Sequence, residues 1–423
     1  MNVHLPNYVV ANDGKYYKYN MEINGIYYCP GNVIIDHGEV KQLETEKEVL
    51  MDYFILDKEK KTLRLYDLNI QDSFLEGFKN IEKIEMIKNP DKEKQTRLIK
   101  IKIKDSDKPV VIEIDKDNNI VGYENQELKT AGYGYLQYNL MLSKLELPNL
   151  EKVGDCFLFF NQKLTQLNLP QLKKVGNYFC EYNEELIELN LPQLIEVRNN
   201  FISTNEKIKH LNLPKLTKVG NCFLFHNKKL SQLDLPQLKE VGDRFLFYNQ
   251  VISQLNLPKL TKVGDYFLYY NVNLNDINLP ELEKVGDAFL TDNVKISKLN
   301  LPKIKKVGYT FLYKNEELSQ LQFPMLEEVG VSFLNYNEKL TKLYLPQLEL
   351  LEDDFLPSHP QREQLIGSMY EKSEEDIELI DIEPEEITEL DKEKQLTTTE
   401  VSIARRIIEK IKSIFHKKDN SQR

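Results

Sequence analysis

Ten prolines, at positions 148, 170, 192, 214, 236, 258, 280, 302, 324 and 346, recur at a constant interval of 22 residues. Around them runs one frame, L-x-x-L-x-L-P-x-L-x-x-V-G-x-x-F-L-x-x-N-x-x. A single copy reads Leu164, Leu167, Leu169, Pro170, Leu172, Val175, Gly176, Phe179, Cys180 and Asn183, and other copies differ by conservative swaps such as Ile208 and Ile252 for the first leucine. A strict period of this length marks an array of structural repeats, each too small to bury its own apolar face and stable only when stacked on its neighbours. That also answers how 423 residues fold without one oversized core.

The spacing dictates local structure. Leu167 and Leu169 alternate with Gln166 and Asn168, the period of a half-buried strand. Pro170 has no N–H to give a ladder, so the strand ends or turns there. Leu172, Val175, Phe179 and Cys180 then point inward from the returning limb. Glycines 154, 176, 220, 242, 264, 286, 308 and 330 mark a bend that needs either a positive φ or a close approach of backbones, and Arg198 breaks that column. Asparagines 139, 161, 183, 205, 227, 249, 271, 293, 315 and 337 stand where the chain re-enters the strand. An amide buried there satisfies backbone groups freed by the bend, which is a structural role.

This frame resembles the leucine-rich-repeat superfamily, and within it the bacterial BspA-like (Treponema-type) class, in which a proline follows the strand and a glycine and an aromatic follow that. The resemblance covers roughly residues 131–356. The period is one residue shorter than that class usually shows, and phenylalanine stands first in its Phe-Leu pair. The resemblance implies a right-handed solenoid used for protein binding or adhesion. The fold class expected is therefore a β-rich repeat solenoid, with a divergent mixed α/β N-terminal cap and a C-terminal helix.

Residues 1–130 lack the frame. Ile99–Ile103 and Val110–Ile114 alternate about Asp105-Ser106-Asp107-Lys108-Pro109 and read as a β-hairpin. Phe74, Leu75, Ile81, Ile84 and Met86 match the repeat's offsets, so a degenerate coil is expected near residues 62–88 within this cap. After residue 356 the frame fails. Residues 357–399 read as an acidic linker and residues 400–418 as a basic amphipathic helix. In the helix Val401, Ala404, Ile408, Ile411 and Phe415 form a stripe opposite Arg405, Arg406, Lys410, Lys412, Lys417 and Lys418. A helix this short is marginal alone in water, so it docks on protein or meets an anionic membrane surface.

Two surfaces of the solenoid are candidates for partner binding. The aromatics just before the asparagine column, Phe160, Tyr182, Phe225, Phe247, Tyr248, Tyr269 and Tyr270, either line one flank as an exposed stripe or pack between coils. The outward strand positions, Gln166, Asn168, Asn190, Asn212, Gln232, Gln254 and Asn256, form a polar face that either reads a peptide or glycan or satisfies itself as an amide ladder.

Charge and motifs narrow the classes. A net charge of -11 disfavours a nucleic-acid binder, which needs a basic stripe against phosphates. The six histidines do not cluster, and Cys29 and His37 are the only close Cys/His pair outside the repeats. Neither nucleotide-loop motifs nor H-E-x-x-H occur, so no catalytic residue, metal site or cofactor is expected. Four cysteines without C-x-x-C spacing, no secretory leader and no apolar run of membrane length suit a cytoplasmic protein, with non-classical export left open. The expected function is a non-enzymatic scaffold or adaptor binding a protein partner. The alternatives are a surface adhesin or effector recognising a host protein or glycan, and an enzyme built on residues 1–130. Oligomeric state is not legible. If the basic helix meets membrane, deleting residues 397–423 will abolish co-sedimentation with anionic vesicles; docking on protein instead leaves sedimentation at background with or without the deletion.

Overall fold

In the computed structural model, residues 8–43, 47–66, 73–348, 356 and 359–370 are described. The repeats stack as coils of one solenoid, each with three sides. The first side is a short strand such as Gln166–Asn168, paired in parallel and in register with Glu188–Asn190 of the next coil. The second side is a two-residue strand such as Lys174–Val175, paired with Glu196–Val197. This second ladder runs through six strands and continues as single bridges to Glu328. The third side is neither strand nor helix. Tyr178 (φ 57), Cys180 (φ 52) and Tyr182 (φ 58) are left-handed and alternate with Phe179 and Glu181. Their N–H groups reach Asn199 O at 3.0 Å in the next coil, Phe157 O at 2.9 Å in the previous one and Ser203 O at 3.4 Å in the next.

Left-handed backbone costs a non-glycine residue roughly 1–2 kcal/mol. Two columns hold it in place. The phenylalanines from Phe157 to Phe333 stack face to face through the core, with centroids 5.1 to 5.6 Å apart and planes within 12°. The asparagines are fully buried. Asn249 Nδ2 donates to Leu224 O in the coil before (2.8 Å) and Phe247 O in its own (3.3 Å), while its Oδ1 accepts the Asn227 N–H (3.2 Å). The same pattern recurs at Asn183 and Asn271. Asn249 thus ties its own coil to the one before through its side chain and, through its N–H on Asn271 Oδ1 (3.2 Å), to the one after.

The glycine column resolves to close approach. None of these glycines has a positive φ. A Cβ on Gly264 would stand 2.7 Å from the Gly242 carbonyl carbon and 2.8 Å from the Asp243 nitrogen, so the coils could not come so near. The positive φ falls instead on larger residues, including Phe160, Tyr182, Tyr248 and Tyr270, because the asparagine bonds and ring stack over-determine their backbone.

The N-terminal region differs from the mixed α/β cap expected. Among its described residues there are strands and one 3-10 helix, Ser73–Phe78, but no α-helix. Tight turns explain this. Asn24 (φ 52) and Gly25 (φ 78) close Met21–Ile23 onto Ile26–Cys29, and His37 (φ 49) and Gly38 (φ 87) close Val33–Asp36 onto Glu39–Gln42. Both are two-residue loops whose twist suits hairpins. The strands Arg97–Ile103 and Val110–Ile114 pair antiparallel, with Ile81–Lys88 on one edge and Ile120–Glu124 on the other. Ile120–Glu124 then pairs in parallel with Lys144–Glu146, the first solenoid strand, which covers that open edge.

The degenerate coil expected at 62–88 is not formed as such. Ile81–Lys88 is an antiparallel edge strand, because a long ladder against Arg97–Ile103 satisfies more backbone than one parallel turn would. Phe74 does take up the coil's aromatic position, 5.5 Å from Tyr135 and 4.8 Å from Phe54. The aromatic column therefore extends into the cap.

At the other end, a helix lies inside the span read as acidic linker. Arg362–Ser368 turns its buried Leu365 onto the last coil, followed by buried Met369. Leu345 N–H donates to Met369 O (2.8 Å), and Tyr370 Oη donates to Leu348 O (3.2 Å). His359 occupies the next asparagine position and its Nε2 lies 2.9 Å from Asn337 O. The cap follows from the need to cover Leu343 and Leu345, which otherwise face water. The segment 400–418 and the rest of the acidic stretch lie outside the described residues.

Two outcomes follow. Asn249→Ala strands several buried backbone groups, at about 1–3 kcal/mol for each one left unpaired, and should lower the urea midpoint clearly; an unchanged midpoint would refute the ladder's role. Asp52, buried in the cap with Ile120 N–H on its Oδ2 at 2.9 Å, has its carboxyl pushed up to about 8 by burial. A carboxyl raised above its unfolded value of about 3.9 costs nothing below that value. Stability then falls as pH rises toward the folded value, by up to about 1.4 kcal/mol per pH unit. Asp52→Asn should remove this slope between pH 4 and pH 8 in denaturant melts; parallel curves would contradict it.

Candidate functional site

The solenoid offers two candidate surfaces, built from different segments of the coil. On the strand side, Gln166, Asn168, Asn190, Asn212, Gln232, Gln254 and Asn256 are all exposed. Their partner strand residues, Leu167 and its equivalents, point into the core because successive side chains alternate faces. The amides are partly self-satisfied: Asn190 Nδ2 donates to Asn168 Oδ1 (2.8 Å), Asn278 to Asn256 (3.0 Å) and Gln232 Nε2 to Asp234 Oδ2 (3.0 Å). The ladder is interrupted rather than continuous.

On the third side, the alternating left-handed backbone sends neighbouring side chains to opposite faces, so that rings line up with their column-mates one coil away. Both readings of the aromatics hold in part. The rings pack against one another between coils, yet Phe160, Tyr182, Phe225, Phe247, Tyr248, Tyr269 and Tyr270 are only half-buried. They form two clusters. In the first, Phe160 stacks on Tyr182 at 4.7 Å and on Tyr138 at 6.0 Å, with Phe159 edge-on to Phe160 at 5.1 Å. In the second, Phe225, Phe247 and Tyr269 stack at 5.4 and 4.9 Å, while His226, Tyr248 and Tyr270 follow at 5.1 and 4.8 Å. Ser203 and Thr204 carry no ring and separate the two.

Environment shifts several groups here. Burial pushes the Glu181 carboxyl up to about 7. Burial, aided by Lys228, lowers His226 below the usual imidazole value. Burial, with the Asp292 carboxylate nearby, raises the Tyr269 hydroxyl.

A further column escaped the sequence reading. Asp155, Asn177, Asn199, Asn221, Asp243, Asp265 and Asp287 follow the bend, and each Oδ1 accepts the N–H of its column-mate in the next coil. This ladder runs opposite to the buried asparagines, in which the N–H reaches forward. Its signal was seven consecutive Asp or Asn residues at the 22-residue step. The more exposed Tyr178, Tyr266 and Tyr309 also lie outside the columns singled out, whereas exposed Tyr336 continues the column of Tyr248 and Tyr270.

The Cys29–His37 pair does not assemble. Cys29 is buried opposite Val33, its thiol pushed up to about 11 by burial, while His37 Nδ1 lies 2.7 Å from Asp36 in the following turn. Among the described residues no three His, Cys, Asp or Glu side chains converge as a metal site. Nor, among them, is any helix long and apolar enough to cross a membrane.

Comparison with known proteins places this geometry. The profile of the BspA type leucine rich repeat region, present in 6 copies, matches residues 132–250 and 241–355. A leucine-rich repeat protein from Bacteroides ovatus is similar in structure at 16% identity and a TM-score of 0.34, over 70% of this chain and 98% of that one. A leucine rich cell surface protein from Faecalibacterium prausnitzii matches at 12% identity and a TM-score of 0.30, over 62% and 97%. The pneumococcal vaccine antigen PcpA matches at 15% and 0.34, over 62% and 81%. No curated protein sequence matches the chain. The family profile spans more than half of the residues, and the chain therefore belongs to the BspA-type leucine-rich-repeat family.

Proposed function

We propose that this chain is a non-enzymatic scaffold that binds a protein partner through the aromatic flank of its solenoid. The observation that carries the reading is the pair of half-buried ring clusters. Stacking across coils fixes each ring before any partner arrives, so little side-chain entropy remains to be lost on binding. Tyrosine in particular combines a large apolar face with a polar tip, and such residues dominate the energetics of protein contacts. The polar strand side contributes a hydrated rim in this reading, since part of its amide capacity is already used in Asn168–Asn190 and Asn256–Asn278.

Two further points support it. The cysteine most suited by sequence to nucleophilic chemistry, Cys29, is buried with its thiol raised to about 11, the wrong direction for a thiolate. All four cysteines are unpaired, which suits a reducing compartment.

Affinity capture followed by mass spectrometry tests the proposal, comparing the native chain with one carrying Phe160→Ser, Tyr248→Ser and Tyr270→Ser. The variant should lose the native chain's principal partners by tenfold or more in recovered signal, with its circular dichroism spectrum retained. An unchanged partner profile from a folded variant would reduce the flank to packing.

A further inference from the structure

The ring columns are interrupted once more beyond the second cluster. Tyr269 and Tyr313 are column-mates two coils apart, and Thr291 stands between them where a ring would stack. In the adjacent column, Tyr266 is followed by Ala288 and Thr310. The missing rings leave a depression of about 370 Å3, walled by Tyr266 and Tyr269 on one side and Tyr309 and Tyr313 on the other, with Ala288 and Thr291 as its floor. Tyr266 and Tyr309 are 40% and 58% exposed, so the walls are open to solvent.

Three features of this slot agree on one kind of occupant. The space was vacated by a stacked ring, so its thickness suits a planar group. Two carboxylates, Asp287 and Asp292, lie at its edge. Asp287 uses Oδ1 to accept the Tyr309 N–H (2.9 Å), and Asp292 Oδ1 lies 3.6 Å from the exposed Lys314 Nζ. Third, the flank already accepts a guanidinium one coil away: the Arg244 guanidinium carbon stands 5.8 Å from the Tyr266 ring centroid. Past Tyr266 the column offers only the methyl of Ala288, so the chain itself supplies no counterpart to Arg244 on that side.

The charge is not demanded by the fold. Asn177, Asn199 and Asn221 make the same backbone bond with a neutral amide that Asp243, Asp265 and Asp287 make with a carboxylate. Three carboxylates on successive coils repel one another, and a ladder of amides would avoid that cost. At Asp243 the second oxygen also accepts from Asn221 Nδ2 (3.2 Å), but the column-mates of Asp287 are Asp265 and Tyr309, which carry no side-chain amide, so the charge at 287 is not required by the ladder and is well placed for a cation.

We propose that this slot receives an arginine side chain from the protein partner, its guanidinium lying between the tyrosine walls and hydrogen-bonded to Asp287 and Asp292. The assignment rests on the protein-binding reading and names the chemistry one part of that flank recognises. Arginine is favoured over lysine because its delocalised plane both stacks on rings and presents paired donors to carboxylates, whereas an ammonium is a compact, strongly hydrated point.

The test is calorimetric titration of the full chain with an acetylated, amidated Gly-Ser-Arg-Ser-Gly peptide, set against the same peptide carrying citrulline, which is planar but uncharged, or lysine. The arginine peptide should bind at least about tenfold more tightly than either control. The double variant Asp287→Asn, Asp292→Asn should weaken it by at least about tenfold with only a small change in melting temperature, since asparagine preserves the ladder bond at 287 and the Asp292–Lys314 pair is half-exposed at its lysine. Thr291→Tyr, which restores the missing ring, should abolish it. Equal binding of the citrulline peptide, full affinity in the double asparagine variant, or no binding of the arginine peptide at millimolar concentration would each overturn the assignment. So would binding of a neutral oligosaccharide such as cellotetraose that Thr291→Tyr blocks, since the slot would then recognise sugar. A failed titration alongside partner loss in the Phe160, Tyr248, Tyr270 variant removes only the slot; retained partners in that variant remove the broader reading.

Discussion

Everything in this solenoid depends on backbone groups being satisfied from one coil to the next. A coil of 22 residues contains only five residues in ladder strands, such as Gln166–Asn168 and Lys174–Val175. The remaining N–H and C=O groups need partners that regular secondary structure does not supply. Two columns of short polar side chains supply them in opposite directions: buried asparagines accept from the coil before, and the Asp/Asn column after the bend accepts from the coil beyond. An amide or carboxylate suits this work because its oxygen lies close to its own backbone, within reach of a neighbouring coil. The constant repeat length is then a requirement, since one inserted residue would move every column-mate out of reach.

The left-handed backbone on the third side is a consequence. It is unfavourable residue by residue, yet it lets a short limb return to the strand while directing N–H groups alternately forward and back, as at Tyr178, Cys180 and Tyr182. The phenylalanine stack fills the space beneath it and the asparagine ladder locks its end. The ends of the array answer the same constraint. The N-terminal hairpins present Ile120–Glu124 to the first solenoid strand, and Met369 and Tyr370 bond to the last coil where another repeat would have continued.

This division of labour leaves the surface columns free. Positions that carry the ladders tolerate few residue types, whereas the ring columns run from Phe160 and Tyr182 through Thr204 to His226 and Tyr248 without disturbing the coil. Even within the Asp/Asn column the backbone bond is indifferent to charge. On the proposed binding role, recognition would change coil by coil on a scaffold that does not change, with gaps in the rings, as at Ala288 and Thr291, as places for a partner's side chain.

The 22-residue register by itself determined the stacking, the alternating strand, the inward leucines and the structural asparagines, because apolar period and polar satisfaction are local properties read down a column. The hairpin Arg97–Ile103 with Val110–Ile114 was legible in the same way. Other features needed the third dimension. Whether the glycines served a positive φ or a close approach depended on how near adjacent coils come, as at Gly264 and Gly242. That Ile81–Lys88 joins an antiparallel sheet, and that Arg362–Ser368 closes the last coil as a helix, was decided by which exposed edge or apolar end each segment could cover. The candidate residues could be named from their columns, but not their exposure. Half-burial of a ring is a property of its neighbours one coil away, and only the stacked array brings those neighbours together.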